Sequence, residues 1–320
     1  MILPASPSVS SSDHVLVAGA TGTIGRAVVR QLVCEGRRVT ALLRPGAGGA
    51  DLAELAGATI VRALLADGEG LKQVMAADPP GCVISCIASR SGAPKDAAAV
   101  DYAANVTLLA AAQAAGARQF ILLSAICVQK PLLAFQHAKL KFEAELAASG
   151  IDYAIVRPTA FFKSLSGQVK RVKAGKPFLI FGDGELTRCK PISDDDLARF
   201  ITGCIDNPET SGRILPIGGP GPAISLREQG ALLCEVAGKP VRFKSVSPGI
   251  FTAAERVLNL GAGVSDWFAE KAEYARIARY YATESMLVLD PATGRYSADL
   301  TPEFGTETLR DHYARLLAEG

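Results

Sequence analysis

Three glycines at three-residue intervals, Gly19, Gly22 and Gly25, are the first residues of this 320-residue chain whose type and spacing imply a chemistry. They lie in the stretch HVLVAGATGTIGR, residues 14–26, after the apolar run Val15-Leu16-Val17-Ala18 and before an amphipathic pattern over residues 24–33. A strand that turns through glycines into a helix is a form that holds a dinucleotide. Gly19 permits the sharp turn, Gly22 lets the backbone approach a pyrophosphate, and Gly25 lets the helix lie close to the strand. The anion then rests on the free N–H groups and the positive dipole end of the helix, with Thr21, Thr23 and Ile24 completing the cradle. The spacing is G-x-x-G-x-x-G rather than G-x-G-x-x-G, so the flanking strand and helix, more than the glycines alone, carry the assignment.

Arg44 says which dinucleotide. It stands 19 residues past Gly25, at the end of a second apolar run over residues 37–43. A chain selective for NAD places an acid there for the ribose 2′-hydroxyl. No acid occurs between Arg37 and Ala50. A guanidinium suits a 2′-phosphate through a planar, charge-assisted fork, so the expected cofactor is NADPH.

These residues need a parallel sheet to hold them. Further strands are expected over residues 59–65, 81–88, 118–124 and 151–156, with helices over 101–116 and 132–149. Strands alternating with helices through the first 160 or so residues mean βαβ units: an α/β fold with a doubly wound parallel sheet of Rossmann type. The run at 81–88 is apolar throughout and reads as a strand buried on both faces. Its exit, Ala88-Ser89-Arg90, would lie beside the adenine half of the cofactor. Beyond Pro158 the regularity loosens into short strands at 178–181, 213–217 and 241–246. Helices are expected over 193–205, 225–237, 248–260, 266–281 and 306–317. The division expected is a Ser/Pro-rich disordered tail over 1–12, a cofactor-binding core over 13–165, and a smaller C-terminal substrate lobe over 166–320, with 190–217 returning to the core.

Bulk properties narrow the class. Lysine and arginine total 34 against 32 acids, for a net charge of +2. With both signs mixed there is no basic footprint for nucleic acid. No apolar run reaches the roughly 18 residues of a membrane span. Seven scattered cysteines without paired spacing imply reduced thiols and a cytoplasmic setting, and with only three histidines a metal site is not expected.

The layout resembles the extended and atypical short-chain dehydrogenase/reductase superfamily, nearest its NmrA-like and isoflavone-reductase-like branch. The matching residues are the glycine loop, Asp101-Tyr102-x-x-Asn105, Ser124 at the end of the fifth strand, Lys139 with Glu143, Arg157-Pro158, and Asp195-Asp196-Leu197-Ala198. The resemblance implies that Lys139, Asn105 and Pro158 face the cofactor and that Lys139 holds the nicotinamide ribose hydroxyls. A Tyr-x-x-x-Lys pair performs the acid chemistry of that superfamily. Aligning Lys139 puts Phe135 at the tyrosine position. Carbonyl reduction develops charge on oxygen and wants a phenolic proton donor, worth about 10²–10⁴ in rate. A phenyl ring cannot donate, so either the chain is no enzyme or its reaction makes no alkoxide. Reduction of a carbon–carbon double bond conjugated with a large π system meets the second condition, with the proton from Lys139 or from water. Lys139 and Ser124 are the catalytic candidates.

Residues 121–146, ILLSAICVQKPLLAFQHAKLKFEAEL, and 284–316, ESMLVLDPATGRYSADLTPEFGTETLRDHYARL, resemble the divinyl chlorophyllide a 8-vinyl reductases of (bacterio)chlorophyll synthesis. That resemblance implies NADPH-dependent reduction of the 8-vinyl group of divinyl chlorophyllide or protochlorophyllide to ethyl. The partner it implies is a small-molecule Mg-tetrapyrrole, with no nucleic acid and no transmembrane segment. Such pigments seek membranes, which allows loose association at the photosynthetic membrane. On this reading Gln129 and Lys130 follow strand five at the ligand-binding sheet edge, with Lys130 suited to the substrate's propionate. Phe161, Phe162 and Trp267 offer aromatic surface for a flat macrocycle. Two alternatives stay open: an NADP(H)-sensing NmrA-like regulator without catalysis, favoured by Phe135, and another ene or enone reductase of the isoflavone-reductase branch.

Overall fold

The computed structural model describes residues 13–47, 50–261 and 265–319. The tail expected over residues 1–12 lies outside them. Strand β1 (His14–Ala18) is followed by α1 (Thr23–Cys34), β2 (Arg38–Leu43), β3 (Thr59–Arg62), α2 (Gly68–Ala77), β4 (Cys82–Ser85), α3 (Ala104–Ala114), β5 (Gln119–Leu123), α4 (Ala134–Ala148) and β6 (Asp152–Pro158). Then come β7 (Phe178–Phe181), β8 (Arg188–Cys189), α5 (Asp194–Thr202), β9 (Arg213–Ile217), β10 (Ile224–Ser225), α6 (Leu226–Val236) and β11 (Phe243–Val246). Helices α7 (Gly249–Asn259) and α8 (Asp266–Thr283), the short β12 (Val288–Leu289) and β13 (Tyr296–Ser297), and α9 (Leu309–Glu319) complete the order.

Seven strands form one sheet in the order β3-β2-β1-β4-β5-β6-β9, and every neighbouring pair runs parallel. Successive side chains of a strand point to opposite faces. In β1, Val15 and Val17 face one way, into a core with Val28 and Leu32 of α1 and Leu197 and Ile201 of α5. Leu16 and Ala18 face the other way, toward Leu71 and Met75 of α2, Leu108 of α3 and Phe142 and Leu146 of α4. Apolar strands covered on both faces are what a doubly wound sheet requires. Burying one side chain such as Phe120 completely contributes about 2–3 kcal/mol. A third core, with Phe162, Val172, Phe178, Leu233 and Tyr313, serves β7, α6 and α9. No helix of the described residues is long and apolar enough to cross a membrane.

Local chemistry explains where elements depart from expectation. The strand expected over 81–88 ends at Ser85, because its neighbour β1 turns away at Gly19 (φ +77°) and Cys86 N–H makes the last bond, 2.9 Å to Ala18 O. Helix α2 went unforeseen; Asp67 caps it, its carboxylate accepting from Gly70 N–H at 3.0 Å. The helix expected over 132–149 starts at Ala134. Leu133 has no capping oxygen, and Gln136 Oε1 instead accepts from the N–H groups of Leu132 (2.8 Å) and Leu133 (2.9 Å). The alanine-rich helix begins early, with a wide π-helical turn, Ala97–Ala103, before α3. Such turns concentrate at functional positions.

Candidate active site

The glycine loop joins β1 to α1, and each glycine is enforced by close backbone. A Cβ on Gly19 would lie 2.6 Å from Cys86 O, and one on Gly25 would collide with the Gly19 carbonyl. Gly22 is the N-cap of α1, where no side chain caps the helix and no acid occupies its first turn. The leading N–H groups and the positive helix end are therefore left to an anion, and the cradle fits a dinucleotide pyrophosphate. Thr21 and Thr23 flank it half-buried, and Ile24 is buried beneath it. Lys163, from the segment after β6, donates from Nζ to Thr23 Oγ1 at 2.7 Å and brings an ammonium to the same place. Nothing in its sequence setting marked it. Arg44 directly follows β2, the parallel neighbour of β1, and is exposed.

The π-helical turn carries Asp101 inward. Its carboxylate is 1% exposed, and Oδ1 lies 3.0 Å from Lys139 Nζ of α4. The same oxygen accepts from Ser89 N–H at 3.4 Å. Asp101 Oδ2 is buried without a hydrogen-bond partner among the described residues. A buried carboxylate oxygen left open beside an ammonium suits the hydroxyl groups of a ribose. Asn105 is buried on α3. It accepts from Ser85 Oγ and donates to the carbonyls of Asp101 (3.1 Å) and Val100 (3.3 Å), which fixes the turn to β4. Asp101 was visible in the sequence only as a motif residue, and the wide turn that aims it left no periodic signal.

Ser124 lies just past β5. Its hydroxyl donates to Glu143 Oε1 of α4, and Arg157 of β6 forks onto both Glu143 oxygens, with Nε at 3.2 Å from Oε1. Glu143 is 4% exposed, so this pairing satisfies a buried charge and fixes the Ser124 hydroxyl.

Two cavities meet here. The smaller, about 280 Å³, is lined by Ala88, Ser89, Asp101, Ser124, Phe135 and Lys139. The larger, about 510 Å³, has Cys127, Pro158, Leu165, Cys189, Leu226 and Met286 in its mostly apolar wall. Ala125, Phe161 and Tyr281 line both. Burial pushes the Cys189 thiol up to about 12 and raises the Cys127 thiol as well, so both are neutral wall groups. Phe135 presents its ring to the smaller cavity and packs with Ile277 and Tyr280. Tyr281, the one phenol among the residues lining either cavity, comes from the end of α8 and was not singled out in the sequence.

Of the expected substrate contacts, Phe161 is in both cavities and the others are elsewhere. Gln129 donates to Leu287 O and accepts from Leu289 N–H (2.8 Å), tying the loop after β5 to β12. Lys130 Nζ is 2.8 Å from both oxygens of Glu284, so its charge is matched within the chain. Phe162 is 2% exposed inside the third core. Trp267 is 56% exposed at the start of α8, edge to face with Phe268 at 5.0 Å, outside both cavities.

Comparison with known proteins adds the following. Residues 19–208 match the NAD(P)H-binding family model. Rice (Oryza sativa subsp. indica) divinyl chlorophyllide a 8-vinyl-reductase, chloroplastic, is 48% identical over 97% of this chain and 80% of its own length. The Arabidopsis thaliana protein of the same name is 45% identical over 96% of this chain and 77% of its own. Among solved structures, the binary complex of Vitis vinifera leucoanthocyanidin reductase with NADPH superposes with a TM-score of 0.69 at 18% identity, covering 95% of this chain and 99% of that one.

Proposed function

This chain belongs to the divinyl chlorophyllide a 8-vinyl-reductase family, and from that premise we propose that it reduces the 8-vinyl group of divinyl chlorophyllide or protochlorophyllide to ethyl with NADPH. One observation carries the chemistry. Beside Lys139, where a carbonyl reductase needs a phenol, the cavity has the ring of Phe135 and opens into an apolar chamber. That mostly apolar chamber suits an uncharged carbon–carbon double bond on a flat π system. When bound, NADPH supplies the hydride, and the conjugated macrocycle spreads the charge that results.

The chain's own residues then divide the work. Gly19, Gly22 and Gly25, with Thr21, Thr23 and Ile24, hold the pyrophosphate, and Arg44 holds the 2′-phosphate. Ala88, Ser89, Asn105 and Pro158 shape the walls along the cofactor. Lys139, its ammonium taken up by Asp101, holds the ribose. Ser124, held by Glu143, fixes the nicotinamide end. Phe161 and the apolar chamber receive the vinyl-bearing edge of the Mg-tetrapyrrole. We read residues 13–165 and 190–217 as the cofactor-binding unit and residues 166–189 and 218–320 as the substrate lobe. The exposed apolar side chains Ile250 and Val257 of α7, Leu260 just after it, and Trp267 and Tyr274 of α8 support a cytoplasmic enzyme working at the surface of a pigment-bearing membrane.

Purified protein with NADPH and divinyl protochlorophyllide is expected to give the small blue shift of the Soret band that marks loss of the vinyl conjugation. Tight NADPH binding with no shift favours the second reading, an NADP(H) sensor, which Phe135 also suits.

A further inference from the structure

Helix α8 ends in two consecutive tyrosines whose rings meet edge to face at 5.7 Å, and their surroundings are opposite. Tyr280 is 4% exposed, and its hydroxyl donates to Cys127 O at 2.9 Å and Lys130 O at 3.2 Å. It ties α8 to the loop after β5. Tyr281 is 47% exposed and lines both cavities. Its hydroxyl meets one hydrogen-bonding group among the described residues, the Cys127 thiol at 3.9 Å. Sulfur at that distance is a weak partner, so the phenol keeps its hydrogen-bonding capacity for a ligand.

The placement bears on Phe135. Ile277, which packs with Phe135, sits one turn before Tyr281 on α8, so the two share a helix face. The wall that receives an inert ring from α4 thus receives a phenol from α8.

We propose that Tyr281 is a catalytic residue of the vinyl reduction and donates the proton that completes the ethyl group; this rests on the vinyl-reductase reading above. The step balances. Two electrons and one hydrogen reach the first vinyl carbon as the hydride of NADPH, and the π pair of the double bond moves onto the second carbon and the conjugated ring. The O–H bond of Tyr281 breaks, its electron pair stays on oxygen, and the proton forms the new C–H bond on the second carbon. The mouth of the cavity, which leaves the ring half exposed, admits the water that returns a proton to the phenolate. The hydroxyl end is enclosed, and that burial, followed by the adjacent Cys127, holds the phenol well above the usual tyrosine range. It therefore carries its proton through neutral and mildly alkaline pH. A carbon base is strong enough to take it.

The test uses the full chain with NADPH and divinyl protochlorophyllide, and the variants Tyr281→Phe and Tyr281→Leu. Tyr281→Phe is expected to lower kcat about 100-fold or more, with KM for both ligands and Tm unchanged. Activity of Tyr281→Phe within threefold of the parent, with loss only in Tyr281→Leu, makes the ring a wall and overturns the proposal. A second measurement does not depend on the Phe variant's folding. With 3,5-difluorotyrosine at position 281, a more acidic phenol of nearly the same size, the alkaline limb of the kcat profile is expected to move to lower pH, and an unmoved limb overturns the proposal. A parent chain that binds NADPH and leaves the vinyl group intact overturns the vinyl-reductase reading itself, and the proposal with it.

Discussion

Lys139 Nζ lies 3.0 Å from Asp101 Oδ1, and the two side chains meet with 10% and 0% of their surface exposed. One comes from α4 and the other from the π-helical turn ahead of α3, so the contact joins two helices on one face of the sheet at the point where both reach the smaller cavity. A buried ion pair adds little net stability, but removing one partner leaves an uncompensated charge.

Lys139→Met is accordingly expected to act on stability and on cofactor binding together. Equilibrium urea unfolding should show a loss of about 3–5 kcal/mol, and KM for NADPH should rise at least tenfold. Adding Asp101→Asn should return much of the stability and none of the affinity. A single variant with the parent's KM would remove Lys139 from the ribose.

Arg157→Met isolates the second buried carboxylate. Glu143 would keep the Ser124 hydroxyl and lose both guanidinium bonds, again a loss of about 3 kcal/mol or more. The double variant Arg157→Met/Glu143→Gln should recover most of it. Thermal melts of the three proteins check this, and equal Tm values for the parent and Arg157→Met would contradict it.

Arg44→Ala tests the choice of cofactor. Losing a charge-assisted bond to a 2′-phosphate costs about 1.5–3 kcal/mol. The ratio of kcat/KM for NADPH over NADH should therefore fall roughly 10- to 100-fold. Lys163→Ala, at the pyrophosphate end, should weaken both cofactors alike and leave that ratio where it was.

His14 makes stability depend on pH. It is fully buried in β1, with Nδ1 at 3.1 Å from Pro79 O and Nε2 at 2.9 Å from Thr40 Oγ1. Burial lowers its pKa, and the Pro79 carbonyl and Asp78 offset only part of that. The unfolded chain titrates near 6.5. Above that value neither state binds the proton and the full stability is present. Below it the unfolded state protonates first, so stability falls with pH, by up to about 1.4 kcal/mol per pH unit. Urea midpoints between pH 5 and 8 should show the slope, and His14→Gln should lessen it, leaving the part that comes from His312, whose pKa burial also lowers.

The parts of the molecule legible in the sequence are those where periodicity and backbone demand coincide. The run 15–18 and the helix pattern at 24–33 bracket the glycines, and the short strands expected at 178–181 and 213–217 form at those residues. Residues that work through long-range contact were not legible. Asp101 needs a turn wider than an α-helical one, and alanines give no sign of it. Lys163 and Tyr281 reach the site from segments whose own patterns describe only a loop and the end of a helix. Conversely, Lys130 looked like a free cation because Glu284, its partner, lies far along the chain.

Strand β9 has a consequence for how the chain is made. Residues 213–217 pair with residues 154–158 of β6 only after the chain has left the sheet and formed β7, β8 and α5. During synthesis, β6 is therefore an open parallel edge for as long as it takes to translate the intervening stretch. An unpaired edge of apolar residues such as Ile155 and Val156 invites pairing with a neighbouring nascent chain. The seven-stranded sheet cannot be completed before β7 and β8 have been made, because its last strand, β9, is encoded behind them. Slower translation through residues 159–217 lengthens that exposure and is expected to lower the yield of native protein.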